Sequence, residues 1–206
     1  MVSLRISGLG HEFDGREVFA GIDVEFEGTC LAVFGPNGSG KSTLLRILAG
    51  LLTPISGEAG VWVDGQRTGR EGLRRAIGLA SPDVQLYADL TPRENLDFLA
   101  SARGLAGGCK LASEALEAVG LQDRADDAVA ALSSGLRRRA CLAAAIVHEP
   151  RLLLLDEPTS NLDEDGARVV RSLIDRQRER GMVVLATSDL AETGIAEARL
   201  DLGAAA

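Results

Sequence analysis

The residues Gly35-Pro36-Asn37-Gly38-Ser39-Gly40-Lys41-Ser42 are arranged to hold a phosphate. They fit the pattern G-x-x-x-x-G-K-[ST] in full. An apolar run at 31–34 precedes them and a helical pattern follows Gly40, which is the strand–loop–helix setting that the pattern needs. Glycines let the backbone turn its N–H groups onto phosphate oxygens without Cβ clashes. The N-terminus of the following helix adds partial positive charge. Lys41 would reach the outer phosphates of a nucleotide, the Ser42 hydroxyl would ligate Mg²⁺, and Thr43 completes the cradle.

A second signal lies far along the chain, at Leu152-Leu153-Leu154-Leu155-Asp156-Glu157. Here an apolar strand ends in two acids. On their own these would be an ordinary solvated strand end. With a phosphate cradle on the same chain they read as its complement. Asp156 would hold Mg²⁺, directly or through water. Glu157 is placed to accept a proton from an attacking water.

These groups need a scaffold, and the hydrophobic pattern supplies one. The segments 4–7, 22–27 and 31–34 read as strands, with Gly8-Leu9-Gly10, Asp14-Gly15 and Glu27-Gly28 at the turns. Leu44, Leu45, Ile47, Leu48 and Leu51 have helical spacing, which predicts a helix to about residue 52, stopped by Thr53-Pro54. Short strands follow at 61–63 and 77–80. Thr91-Pro92-Arg93-Glu94 is a capping box with proline at the first helical position. From there to about residue 147 the pattern is helical, broken at 104–108 and near Gly120. The run 152–155 reads as a buried parallel strand, 164–180 as a polar-faced helix, and 182–186 as a further buried strand. The fold class that follows is α/β, a P-loop type with a mostly parallel central sheet, an N-terminal antiparallel β part and a helical insert at 91–147. The whole chain, 1–206, reads as one domain.

Bulk composition excludes several classes. Apolar residues make up 46% of the 206, too many for a disordered chain. The formal net charge of −8 argues against a nucleic-acid binder that works by wide phosphate neutralisation, so no nucleic-acid partner is expected. Cys30, Cys109 and Cys141 lack metal-ligand spacing to one another or to His11 and His148, and are expected as reduced thiols. The N-terminus lacks the apolar core of a signal peptide. The longest apolar stretches, 140–147 and 152–155, are too short to cross a bilayer. Any work at a membrane would therefore go through a partner.

Two further segments narrow the choice among phosphate-binding proteins. Leu132-Ser133-Ser134-Gly135-Leu136 opens a helix before the acidic pair, and Ser160-Asn161-Leu162-Asp163 follows that pair. With the phrases at 50–58 and 156–160, they closely resemble the ATP-binding-cassette (ABC) family, in the family's order and over nearly the whole chain. The short length resembles compact bacterial exporter-like members. The resemblance implies an Mg-ATP-hydrolysing subunit that powers transport through a separate membrane-spanning subunit, from the cytoplasmic face of the membrane. It also implies a head-to-tail homodimer or heterodimer with ATP between subunits, where Ser133 and Gly135 meet the γ-phosphate bound to the other copy. By the same resemblance, Phe13 stacks on adenine.

Four positions depart from the family pattern. Ser134 and Leu136 replace the usual third and fifth signature residues, which leaves the phosphate-contacting pair intact. Pro82 stands where the family has a glutamine, and Gln85, three positions late, is not expected to replace it. Ser188 stands where the family has a histidine, and it cannot become cationic. Losing one preorganised transition-state donor typically costs about 2.7–4 kcal/mol, so hydrolysis is expected to be slow. An alternative from a different class follows: a nucleotide-gated regulatory subunit that hydrolyses little and pairs with a fuller relative. Arg137-Arg138-Arg139 reads as a solvated helix face, His148 as a cap at a helix C-terminus, and Trp62 as part of a minor sheet.

Overall fold

A computed structural model of the chain describes residues 1–160 and 162–203. Asn161, part of the family-like segment after the acidic pair, lies outside the described residues. In chain order the elements begin with strands β1 (Val2–Phe13), β2 (Arg16–Phe26) and β3 (Cys30–Phe34), then helix α1 (Lys41–Leu48). β4 (Ser56–Val63), β5 (Gln66–Arg67), α2 (Arg70–Ala76) and β6 (Ile77–Ala80) follow. Three helices come next: α3 (Pro92–Ala102), α4 (Gly108–Ala118) and α5 (Ser134–Ile146). The chain closes with β7 (Leu152–Asp156), α6 (Glu164–Arg178), β8 (Met182–Thr187) and β9 (Ala198–Asp201).

The strands form two sheets. The antiparallel one has the order β2-β1-β4-β5, and the parallel one β6-β7-β8-β3-β9. The fold is thus α/β with an antiparallel β part at the N-terminus, as the sequence pattern predicts. The parallel strands alternate between two cores. Leu152, Leu154, Met182, Val184, Leu31 and Val33 face a core shared with α1 and the antiparallel sheet. Leu153, Leu155, Val183 and Leu185 face a second core built with α3 to α6. Both faces of these strands are covered, which is why their sequences read as unbroken apolar runs.

Several local expectations hold and others shift. Thr91 caps α3 as a full capping box: its side chain accepts from Glu94 N at 3.1 Å, and Thr91 N donates to Glu94 Oε2 at 2.8 Å. Helix α1, in contrast, ends at Leu48, four positions before the predicted stop. Gly50, at φ 69°, takes the left-handed position, and Leu51 N and Gly50 N donate back to the carbonyls of Arg46 and Ile47. This glycine closure ends the helix before the proline can act. Helix α2 and strand β9 were not anticipated: α2 buries no side chain fully and β9 is a four-residue edge strand, so neither carries an apolar period. Trp62 lies on β4 in the minor sheet, with the guanidinium groups of Arg5 and Arg67 at 5.2 and 5.6 Å from its ring centroid. The three cysteines are free. Among the described residues, no helix is long and apolar enough to cross a membrane.

His148 does not cap its own helix. Its Nε2 lies 3.0 Å from the carbonyl of Ile77, at the start of β6. A carbonyl can only accept, so the proton sits on Nε2. Burial, reinforced by the nearby charge of Arg103, pushes the imidazole down to about 4 from 6.5, although the Ile77 carbonyl pulls it back. Between these two values the unfolded chain binds a proton that the folded chain refuses, so stability rises with pH across that window. The fold should lose on the order of 1–3 kcal/mol between pH 6.5 and pH 4 through this group. Denaturant titrations across that range should show the slope in the wild type and a shallower one in His148→Gln.

Candidate functional site

Strand β3 delivers the chain to the loop 35–40, and the loop delivers it to α1. The loop is tight: Ser39 N donates to Pro36 O at 3.2 Å, and Leu44 N to Gly40 O at 2.9 Å. Gly38 and Gly40 have φ of 85° and 93°, where a side chain with a Cβ is strained. A Cβ on Gly35 would sit 2.5 Å from Ser39 Oγ, and one on Gly40 would sit 2.6 Å from Val18 and Phe19. Pro36, Asn37 and Gly38 are exposed at the loop's outer edge, while Gly35, Lys41 and Thr43 are buried and Ser39, Gly40 and Ser42 are half-buried.

Lys41 is the first residue of α1, and its ammonium folds back over the loop. Nζ donates to Gly35 O at 2.8 Å and to Pro36 O at 3.1 Å, and lies 3.2 Å from Glu157 Oε1. Lys41 and Glu157 are an ion pair by distance, but Oε1 accepts no well-aligned hydrogen bond. We read the contact as electrostatic. A cation this buried gains most from a mobile anion that can come closer than a carboxylate fixed on another element.

The acids arrive on β7. In the parallel sheet β8 lies between β7 and β3, with Asp156 in register with Ala186 and Phe34 with Thr187. The C-terminal ends of the three strands therefore open at one level, the position where open α/β sheets bind ligands. Asp156 is 2% exposed. Its Oδ2 accepts from Ser81 Oγ at 3.1 Å, and its Oδ1 has no partner. A buried carboxylate with an orphaned oxygen fits a cation ligand. Glu157 has a left-handed φ of 46°. Its N–H donates to Ala186 O at 2.9 Å, which carries the β8 ladder one residue past β7.

The ABC transporter family model matches residues 22–160, from β2 to just past the acidic pair. The chain belongs to the ABC transporter family. A phosphate import ATP-binding protein of Natronomonas pharaonis is 37% identical over 91% of this chain and 72% of its own length. A cytochrome c biogenesis ATP-binding export protein of Cupriavidus necator is 41% identical over 91% of this chain and 83% of its own. A solved ATP-binding subunit of an ABC transporter superposes with a TM-score of 0.83, at 25% identity, over 97% of this chain and 85% of that one. This chain is an ABC ATPase, the ATP-binding subunit that energises transport; such subunits dimerise and pair with membrane permeases.

In this ABC subunit, contact joins Gly35, Pro36, Lys41 and Glu157, with Asp156 beside them. Ser188 follows β8 directly and is exposed at the mouth of the same strand ends. Other expected residues stand apart. Phe13 is 47% exposed near the end of β1, its ring edge-on to His11 at 4.7 Å. Ser133 is the N-cap of α5 and accepts from Leu136 N at 3.3 Å, with half-buried Gly135 in the first turn.

Three residues around the site escaped the sequence reading. Ser81, 4% exposed after β6, holds Asp156 from the side next to exposed Pro82. Glu192 accepts from the Thr159 hydroxyl. Burial pushes its carboxyl above the ordinary value, a bond with Thr187 pulls it back, and the charges of Asp189 and Glu157 push it up again. Arg138 is the third, and it corrects the reading of 137–139 as a solvated face. It is half-buried and its Nη2 donates to the carbonyls of Asp156 and Glu157. Burial lowers its pKa, opposed by Cys141, Asp156 and Glu157. Arg139 is also largely covered, 3.5 Å from Asp163, and only Arg137 is exposed. A helix face that packs on a strand end can take long cations whose heads find carbonyls, so charge in the sequence did not mean solvent.

The loop geometry yields a stability prediction. Gly40→Ala adds a left-handed penalty and a clash with Val18 and Phe19. It should lower the unfolding free energy by about 2 kcal/mol or more. Chemical denaturation would measure it, and an unchanged midpoint would show that the loop absorbs a Cβ.

Proposed function

We propose that this ABC subunit hydrolyses ATP itself, with Glu157 as general base and Lys41 as the γ-phosphate cation. One observation carries the reading: Lys41 Nζ and Glu157 Oε1 stand 3.2 Å apart at the end of the central sheet. The group that would neutralise a phosphate and the group that would take a proton from water thus meet at one point. On nucleotide binding, Lys41 turns from Glu157 to the γ-phosphate, which leaves the carboxylate free to accept a water proton.

The loop 35–43 surrounds the phosphates with N–H donors, and Phe13 offers an exposed ring for the adenine. Mg²⁺ would be held by Ser42 and by Asp156, whose orphaned Oδ1 supports the assignment. When bound, the cation neutralises charge on the phosphate oxygens. Ser81 keeps the Asp156 carboxylate in place. Ser133 and Gly135 serve the nucleotide on a second copy, in a head-to-tail homodimer or heterodimer. Segment 91–147 acts as a helical subdomain within the single domain. A groove of about 970 Å³ between α2, the segment 84–87 and α3 is lined by Leu73, Tyr87, Leu99 and Arg103. Its apolar rim, with Leu51 69% and Tyr87 60% exposed, suits a helical segment of the membrane-spanning partner on the cytoplasmic side. The similar proteins include import and export subunits by name.

Turnover should be slow because Pro82 and Ser188 stand where the family has a glutamine and a histidine, and Ser188 offers only a short hydroxyl that cannot become cationic. Steady-state Mg-ATP turnover should rise more steeply than linearly with protein concentration. Glu157→Gln should lower it about 100-fold or more, the range of a general base. Ser188→His should raise it by up to about 100-fold. Wild-type protein that binds ATP yet never turns over would favour the regulatory-subunit reading instead.

A further inference from the structure

Glu157 sits in a backbone conformation that it would not choose. A left-handed conformation strains a residue with a Cβ, and such strain persists only where neighbours over-determine it. On one side the neighbour is β8, whose Ala186 carbonyl takes the Glu157 N–H. On the other side are Ser160, whose N–H donates to Glu157 O at 3.2 Å, and Arg138, reaching out of α5. Its Nη2 donates to Glu157 O at 2.8 Å and also to Asp156 O. These carbonyls belong to the two peptide groups that flank the Glu157 Cα. Fixing both peptide planes fixes φ and ψ between them, and with them the direction in which the carboxylate leaves the backbone.

Stability alone accounts poorly for this arginine. Its Nε is buried without a partner and its guanidinium is desolvated. A half-buried cation so placed is often no better for stability than an apolar side chain of similar volume. Its neighbours do different work: Arg137 donates to Leu132 O at 2.8 Å, and Arg139 pairs with Asp163. Of these three arginines, Arg138 is the one that touches the acidic pair.

We propose that Arg138 is the positioning residue of the catalytic carboxylate. Its guanidinium clasps the Asp156 and Glu157 carbonyls, holds Glu157 in the left-handed conformation that aims it at Lys41, and ties that aim to helix α5. A rigid, charged donor suits the task, since charge-assisted bonds are roughly twice as strong as neutral ones. The proposal rests on Glu157 being the general base.

The test uses the full chain as wild type, Arg138→Met, Arg138→Lys and Glu157→Gln. Each is measured by single-turnover hydrolysis with enzyme in excess and by titration with a fluorescent ATP analogue. Releasing a positioned group costs up to about 100-fold in rate, so Arg138→Met should lower the hydrolysis rate about 10- to 100-fold. Its affinity for the analogue should stay within about threefold, because the clasp is made to the acidic segment and not to the phosphate loop. Arg138→Lys should recover part of the rate, since an ammonium keeps the charge but loses the planar fork. Combining Arg138→Met with Glu157→Gln should add little further loss, because both act through one group. A rate within twofold of wild type in Arg138→Met overturns the proposal, as does a rate loss matched by an equal loss of analogue binding. If the methionine variant fails to fold, Arg138→Lys decides alone, and a wild-type rate in it overturns the proposal. Glu157→Gln keeps the two failures apart. If it retains hydrolysis, the base assignment is wrong. If it abolishes hydrolysis while Arg138→Met does not, only the positioning role is wrong.

Discussion

The site depends on one strand lying between two others. β8 pairs with β7 on one side and with β3 on the other, and its backbone sets how far the phosphate loop stands from the acidic pair. The interval is fixed by ladder hydrogen bonds, which tolerate little stretching. The two chemical segments lie far apart in the chain, at 35–42 and 156–157. No local interaction could bring Lys41 to 3.2 Å from Glu157. Two apolar cores, one on each face, keep β8 buried and dry.

Around this frame the charges are matched in series. Lys41 is satisfied by Gly35 O and Pro36 O and faces Glu157. Asp156 leans on Ser81, and its backbone carbonyl is taken by Arg138. Each of these groups therefore has some partner, but Asp156 Oδ1, Glu157 Oε1 and Arg138 Nε stay without a hydrogen bond. Open valences next to matched ones are what a binding site needs: enough order to hold its shape, and a remainder that only a ligand completes.

Much of this was legible in the residues, for physical reasons. A phosphate loop has a fixed length and fixed glycine positions, so it can be read without its fold. Buried parallel strands announce themselves as apolar runs at 31–34, 152–155 and 182–186, and the capping box at Thr91 is local chemistry. What escaped is non-local or lacks a period. The true end of α1 was set by the left-handed turn at Gly50, which competes with a proline farther on. Ser81 is an ordinary residue until β6 sets it beside Asp156. Arg138 looked like one charge in a run of three, because nothing in a helical pattern tells which long side chain meets a strand end. The left-handed φ of Glu157 has no sequence signature; glutamate is not a residue that favours it.

That last feature sets the carboxylate proposed as the general base against the thermal robustness of the fold. At position 157, glycine would relieve the backbone strain, and so, in smaller part, would asparagine. Both would remove the carboxylate. A lineage selected only for heat resistance would be drawn toward the very replacements that, on the proposed role of Glu157, end hydrolysis, while one selected for transport would keep a residue its backbone disfavours. Heat tolerance in such a subunit has to be gained elsewhere, in the two cores or in the minor sheet, where added packing does not compete with the chemistry.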